Sequence, residues 1–223
     1  MSKKVADIIV ETLQTAGVRH CYGVVGDTLN RIAQSIAVSK IEWVHMRHEE
    51  AGAFAAQAEA QVSGRLTAVA GSCGPGSLHF INGIFEANRN RAPVILIASQ
   101  IVRDELGFDF IQEVDFKQVY RDCSVFCDMI HTPAQARRKT AIACQTALAK
   151  RGVAVLIVPV DISTSTVHDD SRMPRTSQSR WFGRAMPISW RSPKFSTAAR
   201  RLPCTADPAA RARTRRSSRS PTG

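Results

Sequence analysis

Apolar residues recur in two different rhythms along the first 163 positions of this 223-residue chain, and the rhythms alternate. Val5, Ile8, Ile9, Val10 and Leu13 repeat at helical spacing before Gly17, and the short run from His20 to Val25 then reads as a strand. A second helix, capped by Asp27 or Thr28, carries Leu29, Ile32, Ala33 and Ile36. The same reading predicts strand 41–46, helix 49–63, strand 66–70, helix 76–88 and strand 93–98. Residues 100–122 are longer and less regular, 124–130 read as a further strand, 133–150 as a helix and 153–158 as the last strand, with Asp161-Ile162-Ser163 closing the regular pattern. Strands that are apolar on both faces and separated by helices predict an α/β fold, a doubly wound parallel β-sheet flanked by helices. Right-handed crossovers then bring loops 23–28, 47–50, 71–77 and 99–113 to one edge of the sheet, the edge where such sheets bind ligands.

From residue 164 the chain changes character. The net charge is +11, yet residues 1–163 hold 17 basic and 16 acidic residues, whereas 164–223 hold 13 and 3. This Arg/Ser/Pro-rich tail has no apolar repeat of either period and is expected to be disordered. Its basicity opens an alternative class, a non-catalytic nucleic-acid-binding protein that grips phosphates without sequence preference. Against that stand the near-neutral first part and the few aromatics among the arginines, Trp181, Phe182, Trp190 and Phe195, so no specific nucleic-acid partner is expected.

Two further classes recede on composition. The longest apolar stretches, such as Val153–Val160, fall far short of the roughly 18–20 residues that cross a bilayer. Met1-Ser-Lys-Lys leads into an amphipathic pattern rather than an export signal, which makes a cytoplasmic protein the expectation. The six cysteines form no C-x-x-C pair, so reduced thiols are expected and no metal site.

The candidate chemistry starts at Arg47-His-Glu-Glu50, where a carboxylate pair follows a strand and opens a helix. Glu49 falls where the first amides of a helix lack partners and negative charge is favoured. Gly52, Ala53 and Ala56 lie three, four and seven residues on, and that helix face is expected to leave room for something flat. Read alone, the segment is also an ordinary acidic helix start. Gly71-Ser-Cys-Gly-Pro-Gly-Ser77 joins a strand to a helix without either common phosphate-loop pattern, and read alone is a structural turn. Gly23-Val-Val-Gly-Asp27 is a tight turn with a cap, and His48 and His79 read as surface or packed residues.

In order, however, Gly23-Val-Val-Gly-Asp-Thr-Leu-Asn30, Arg47-His-Glu-Glu50, Ala56-Gln-Ala-Glu-Ala-Gln61, Gly71-Ser-Cys-Gly-Pro-Gly-Ser-Leu-His79, Asn82-Gly83 and Gln112-Glu113 resemble the N-terminal pyrimidine-binding domain of thiamine-diphosphate enzymes. The likeness covers about residues 3–163 and is nearest to the pyruvate oxidase and quinone-dependent pyruvate dehydrogenase branch, with acetolactate synthase a near relative. It implies that Glu49 is catalytic, hydrogen-bonding N1′ of the aminopyrimidine so that the cofactor takes the proton from its own thiazolium C2. It implies a 2-oxo acid substrate, with pyruvate favoured, decarboxylated on thiamine diphosphate, and FAD carrying the electrons onward in the oxidase branch. The implied cofactor-binding residues are Gly23, Val24, Val25, Gly26, Glu49, Gly74, Pro75, Gly76 and Asn82. Phe110, Ile111 and Gln112 are implied to line the substrate pocket, although relatives often place Phe immediately before the glutamine, where this chain has Ile111.

The resemblance also predicts parts that this sequence does not contain. Such enzymes bind the diphosphate and Mg through a Gly-Asp-Gly motif, which does not occur here, and the tail begins about where a flavin domain would start. The expectation is therefore residues 1–163 as a pyrimidine-binding domain and residues 164–223 as a tail read in a shifted frame of a longer gene or left by another truncating event. Such a truncated chain is expected to be inactive alone, with a homo-oligomeric parent whose peripheral attachment at the inner membrane would reside in the parts it lacks.

Overall fold

A computed structural model describes residues 2–168. In chain order these form β1 (Ser2–Lys4), α1 (Val5–Thr15), β2 (His20–Gly23), α2 (Asn30–Ala37), β3 (Glu42–His45), α3 (Glu49–Ser63), β4 (Thr67–Gly71), α4 (Pro75–Leu78), α5 (Ile81–Arg89), β5 (Val94–Gln100), α6 (Phe116–Val119), β6 (Phe126–Met129), α7 (Ala136–Lys150), β7 (Val153–Pro159), α8 (Val160–Thr164) and β8 (Thr166–His168). Six strands make one parallel sheet in the order β3-β2-β4-β5-β7-β6. The expected α/β class and parallel sheet are therefore present.

Alternation along the central strands divides the core in two. Ala68, Ala70, Ile95, Ile97, Ala154, Leu156 and Val158 face Ile9, Leu13, Ile32 and Cys144 on one side. Val69, Val94, Leu96, Val153 and Val155 face Ala53, Ala56, Ile84 and Phe116 on the other. Every residue of β4, β5 and β7 is buried, which accounts for their unbroken apolar runs. At about 25 cal/mol per Å², each fully buried Ile or Leu contributes about 1.5–3 kcal/mol, so these strands set the register of the sheet.

The order also creates the crevice. After β2 the chain passes to the α1 side, where Leu29, Ile32 and Ile36 are buried, while after β4 it passes to the opposite side, where Ile84 and Ala87 are buried. Adjacent strands whose following loops leave toward opposite faces open a gap at their carboxyl ends, where ligands of doubly wound sheets bind.

Three expectations change. The helix predicted over 76–88 is two helices, because the Tyr120 hydroxyl donates to the carbonyl of Ser77, the acceptor that a continuous helix would offer to Ile81. Regular structure continues past Ser163, since Ser2, Lys3 and Lys4 pair with His168, Val167 and Thr166 in a two-stranded antiparallel sheet. Within the irregular 100–122 segment a short helix, α6, starts at Asp115, whose carboxylate accepts from the amides of Lys117 and Gln118. The basic tail, apart from its first five residues, lies outside the described residues.

Candidate functional site

Three of the four loops expected at the sheet edge, 23–28, 71–77 and 99–113, are joined there by side chains. Ser72, after β4, donates to the Asp27 carboxylate at 3.2 Å, and its hydroxyl lies 2.9 Å from that of Thr28. The amide of Cys73 donates to Thr28 Oγ1 at 2.9 Å. These bonds tie the loop after β2 to the loop after β4 across the crevice. On the far side of the same loop the Cys73 thiol donates to Gln112 Oε1 at 3.2 Å.

Glu49 is the first residue of α3, and its side chain is 11% exposed. The helix starts there because His48 is extended and accepts from the amide of Glu50 through Nδ1, the capping role usually taken by Ser or Asp. One carboxylate oxygen, Oε2, lies 3.0 Å from His79 Nδ1, and the His79 ring stacks on that of His48 with centroids 4.7 Å apart. The other, Oε1, has no hydrogen-bond partner among the described residues and faces Gly76, where a β-carbon would come within 3.6 Å of it. A mostly buried carboxylate with one oxygen held and one open toward a side-chain-free turn can take a proton-bearing or proton-accepting ring nitrogen at that open oxygen.

Gly74 has φ +60°, a conformation in which an added β-carbon would also come within 2.7 Å of Gln112 Cβ and 3.0 Å of its Cα. Glycine is thus what allows Gln112, itself at φ +71°, to close over the turn. Gly23 serves the contact between β2 and β4, because a β-carbon there would reach within 2.0 Å of the Ala70 carbonyl oxygen. At Gly26 the added carbon would strike Ser72 Cβ at 2.5 Å, so its absence keeps the two loops close enough to bond.

The other predicted site residues are placed unevenly. Val24 is half-buried, Val25 is exposed at the crevice loop, and Pro75 begins α4. Asn82 Nδ2 donates to Glu50 Oε1 at 3.0 Å, so it bonds the second carboxylate and not Glu49. Phe110 and Ile111 are exposed on the segment that ends at Gln112, with Ile111 77% exposed. Surface hollows of about 320 Å³ between α1 and α2 and about 190 Å³ beneath residues 113–117 lie away from Glu49.

One expectation about this site is overturned. Gly52, Ala53 and Ala56 do not form an open face for a flat ligand, because all three are buried. A β-carbon at Gly52 would meet Met46 at 3.2 Å and Tyr22 at 3.4 Å, and Gly83 of α5 packs where an added carbon would lie 2.4 Å from Ala53 Cβ. Small residues here let α3 approach β2 and α5 closely. The room beside Glu49 comes instead from Gly76.

The sequence pattern of the thiamine pyrophosphate enzyme, N-terminal TPP binding domain, matches residues 3–119. The chain belongs to this family. A 42.6 kDa protein in the isoamylase 3′ region of Pseudomonas amyloderamosa is 47% identical over 161 residues, covering 72% of this chain and 41% of that protein. The thiamine pyrophosphate-containing protein YdaP of Bacillus subtilis is 35% identical over 162 residues, 72% of this chain and 28% of the relative. Pyruvate oxidase of Lactiplantibacillus plantarum is 31% identical over 156 residues, 69% and 26% respectively. The chain thus spans less than half the length of these relatives. Acetolactate synthases, among them one from Zea mays at 33% over 120 residues, also match.

Within this TPP-binding domain, the partners of Glu49 were the part that reading along the chain missed. His79 lies 30 positions away from Glu49 and His48 next to it, and only the return of α4 beside the start of α3 stacks the rings. The available signal was that both histidines occur inside segments that carry the family resemblance, Arg47–Glu50 and Gly71–His79.

Proposed function

We propose that this chain is the pyrimidine-holding domain of a thiamine-diphosphate enzyme that decarboxylates 2-oxo acids, pyruvate first among them, in the manner of a pyruvate oxidase or quinone-dependent pyruvate dehydrogenase. The observation that carries the reading is the Glu49 carboxylate at the switch-point crevice, with Oε2 tied to His79 and Oε1 open toward Gly76. Family membership supports the cofactor, and the match to pyruvate oxidase over 156 residues, against 120 for acetolactate synthase, supports the branch.

The residues fit the pyrimidine end of that cofactor. Glu49 is the catalytic residue on this reading, sharing a proton between Oε1 and the ring nitrogen while His79 holds Oε2 and fixes the carboxyl plane. Gly23, Val24, Val25 and Gly26 form the opposite lip, and Gly74, Pro75 and Gly76 the turn that leaves the ring its space. Asn82 holds one oxygen of the Glu50 carboxylate, while Glu49 keeps a free oxygen toward Gly76 for the ring. Gln112, with Phe110 and Ile111 before it, bounds the side where a 2-oxo acid enters. Bound thiamine diphosphate supplies the sink for the electrons released with CO₂.

Magnesium and FAD belong, on this reading, to other parts of a longer enzyme, and so does the neighbouring copy of a homo-oligomer. Phe54 and Phe85, exposed on α3 and α5, are apolar surface of the kind such an assembly covers. Titration of the chain with thiamine diphosphate and Mg²⁺ tests the proposal. Saturable one-to-one binding is expected, with negligible CO₂ release from pyruvate by this chain alone. No binding at millimolar ligand would overturn it.

A further inference from the structure

His48, Glu49 and His79 each present a ligand atom, and the three atoms lie within 4.8 Å of one another. We infer that this trio is a binding site for a borderline divalent transition metal such as Zn²⁺ or Co²⁺. Donor geometry here runs against the expectation, drawn from the cysteines, that the chain holds no metal.

One pair of the three donors already stands at the spacing a shared ion requires, and the third lies close enough to be drawn in. Zinc-to-imidazole and zinc-to-carboxylate bonds of about 2.0–2.2 Å, at angles between a right angle and the tetrahedral value, put the donors roughly 3.0–3.5 Å apart. Glu49 Oε2 and His79 Nδ1 are 3.0 Å apart, so that pair needs almost no movement. With the ring proton on Nε2, the Nδ1 lone pair of His79 is the one that takes the metal. His48 provides the third donor. Its side chain is 53% exposed and is held by a long 3.3 Å contact from the amide of Glu50 and by stacking on the His79 ring, and both give way as the ring turns its nitrogen toward the ion.

Charge favours the site as well. Glu49 brings one negative charge, and Glu50, whose Oε2 lies 4.0 Å from His48 Nδ1, brings another. The start of α3 opposes a cation with only about half a positive charge. Two imidazole nitrogens with one carboxylate select Zn²⁺, Co²⁺ or Ni²⁺ over Mg²⁺, which prefers oxygen ligands and keeps its waters. The trio is therefore distinct in chemistry from a magnesium site. A consequence that rests on the function proposed above is that the metal and the aminopyrimidine compete for Glu49.

The test is Co²⁺ titration of the full chain in the absence of any thiamine, followed by visible absorption. Expected are one saturable site, no thiolate-to-cobalt band, at least a tenfold loss of affinity in His48→Gln and in His79→Gln, and unchanged affinity in His131→Gln. Mg²⁺ at a hundredfold excess leaves the signal intact. In the wild-type chain, substoichiometric Co²⁺ broadens the ring resonances of His48 and His79 before those of His20, His45 and His131, a readout that does not depend on any variant folding. No saturable binding, a thiolate band, broadening at other histidines first, or affinity unchanged in folded His48→Gln and His79→Gln overturns the inference. Competition by thiamine diphosphate is measured separately, so failure of that step alone counts against the proposed function and leaves the metal site standing.

Discussion

Replacing Gly74 by Ala tests whether the crevice is built as described. The new β-carbon would sit at φ +60°, a strained conformation that costs a non-glycine residue about 1–3 kcal/mol. It would also come within 2.7 Å of Gln112 Cβ and 3.0 Å of its Cα, so the backbone of that segment has to move, an overpacking cost of about 1–3 kcal/mol. The sum, about 2–6 kcal/mol, is a large part of the about 5–15 kcal/mol that holds a domain folded. Gly64 is the control, with φ +69° and nothing within 4 Å of an added carbon. Gly64→Ala therefore carries only the conformational part, about 1–2 kcal/mol. With a urea slope of about 2–3 kcal/mol per molar, the unfolding midpoint should drop by about 0.7–3 M for Gly74→Ala and by about 0.3–1 M for Gly64→Ala, the former being the larger. Equal drops for the two variants would show that Gln112 does not close over the turn.

Two further outcomes are expected away from the crevice. Burial raises the Asp128 carboxyl, but hydrogen bonds from Lys117 and Lys139 outweigh it and lower it from 3.8 to about 2. The unfolded chain therefore takes up that proton first, and stability falls as the pH drops from about 4 toward 2; urea midpoints of Asp128→Asn should fall less steeply over this window, and an unchanged slope would refute the pairing. Full burial pushes the Cys21 and Cys144 thiols well above their ordinary range, so neither should react with a thiol reagent at neutral pH until denaturant is added, as peptide mapping by mass spectrometry will show.

Sequence reasoning reached the sheet more easily than the site. Strands such as Val94–Gln100 and Val153–Pro159 are buried on both faces, so their composition alone announces a covered parallel sheet. Helix α3 was legible to the residue, because Arg47-His-Glu-Glu follows the strand before it and supplies an acidic start, and Gly64, in the left-handed conformation, stops it. The break after Leu78 was not legible, since its cause is a hydroxyl 43 positions away in Tyr120. The pairing of β1 with β8 was hidden for the same reason: three-residue strands at opposite ends of the described chain carry no periodicity of their own. At the site, Glu49 could be singled out from local chemistry and resemblance, while its hold on His79 and the closing of Gln112 over Gly74 depend on loops that only the strand order brings together. The small residues of α3 misled for a physical reason, because an alanine face serves close helix packing as readily as it serves a ligand.

Glu49, and not the carboxylate beside it, is the group proposed to hold the aminopyrimidine. Calorimetric titration of thiamine diphosphate into the wild-type chain, Glu49→Gln and Glu50→Gln measures this directly. A hydrogen bond to a charged group contributes about 1.5–3 kcal/mol, so Glu49→Gln should weaken binding roughly tenfold to a hundredfold while Glu50→Gln stays within about threefold of wild type. Equal affinities for wild type and Glu49→Gln, or a larger loss in Glu50→Gln, would contradict that role for Glu49.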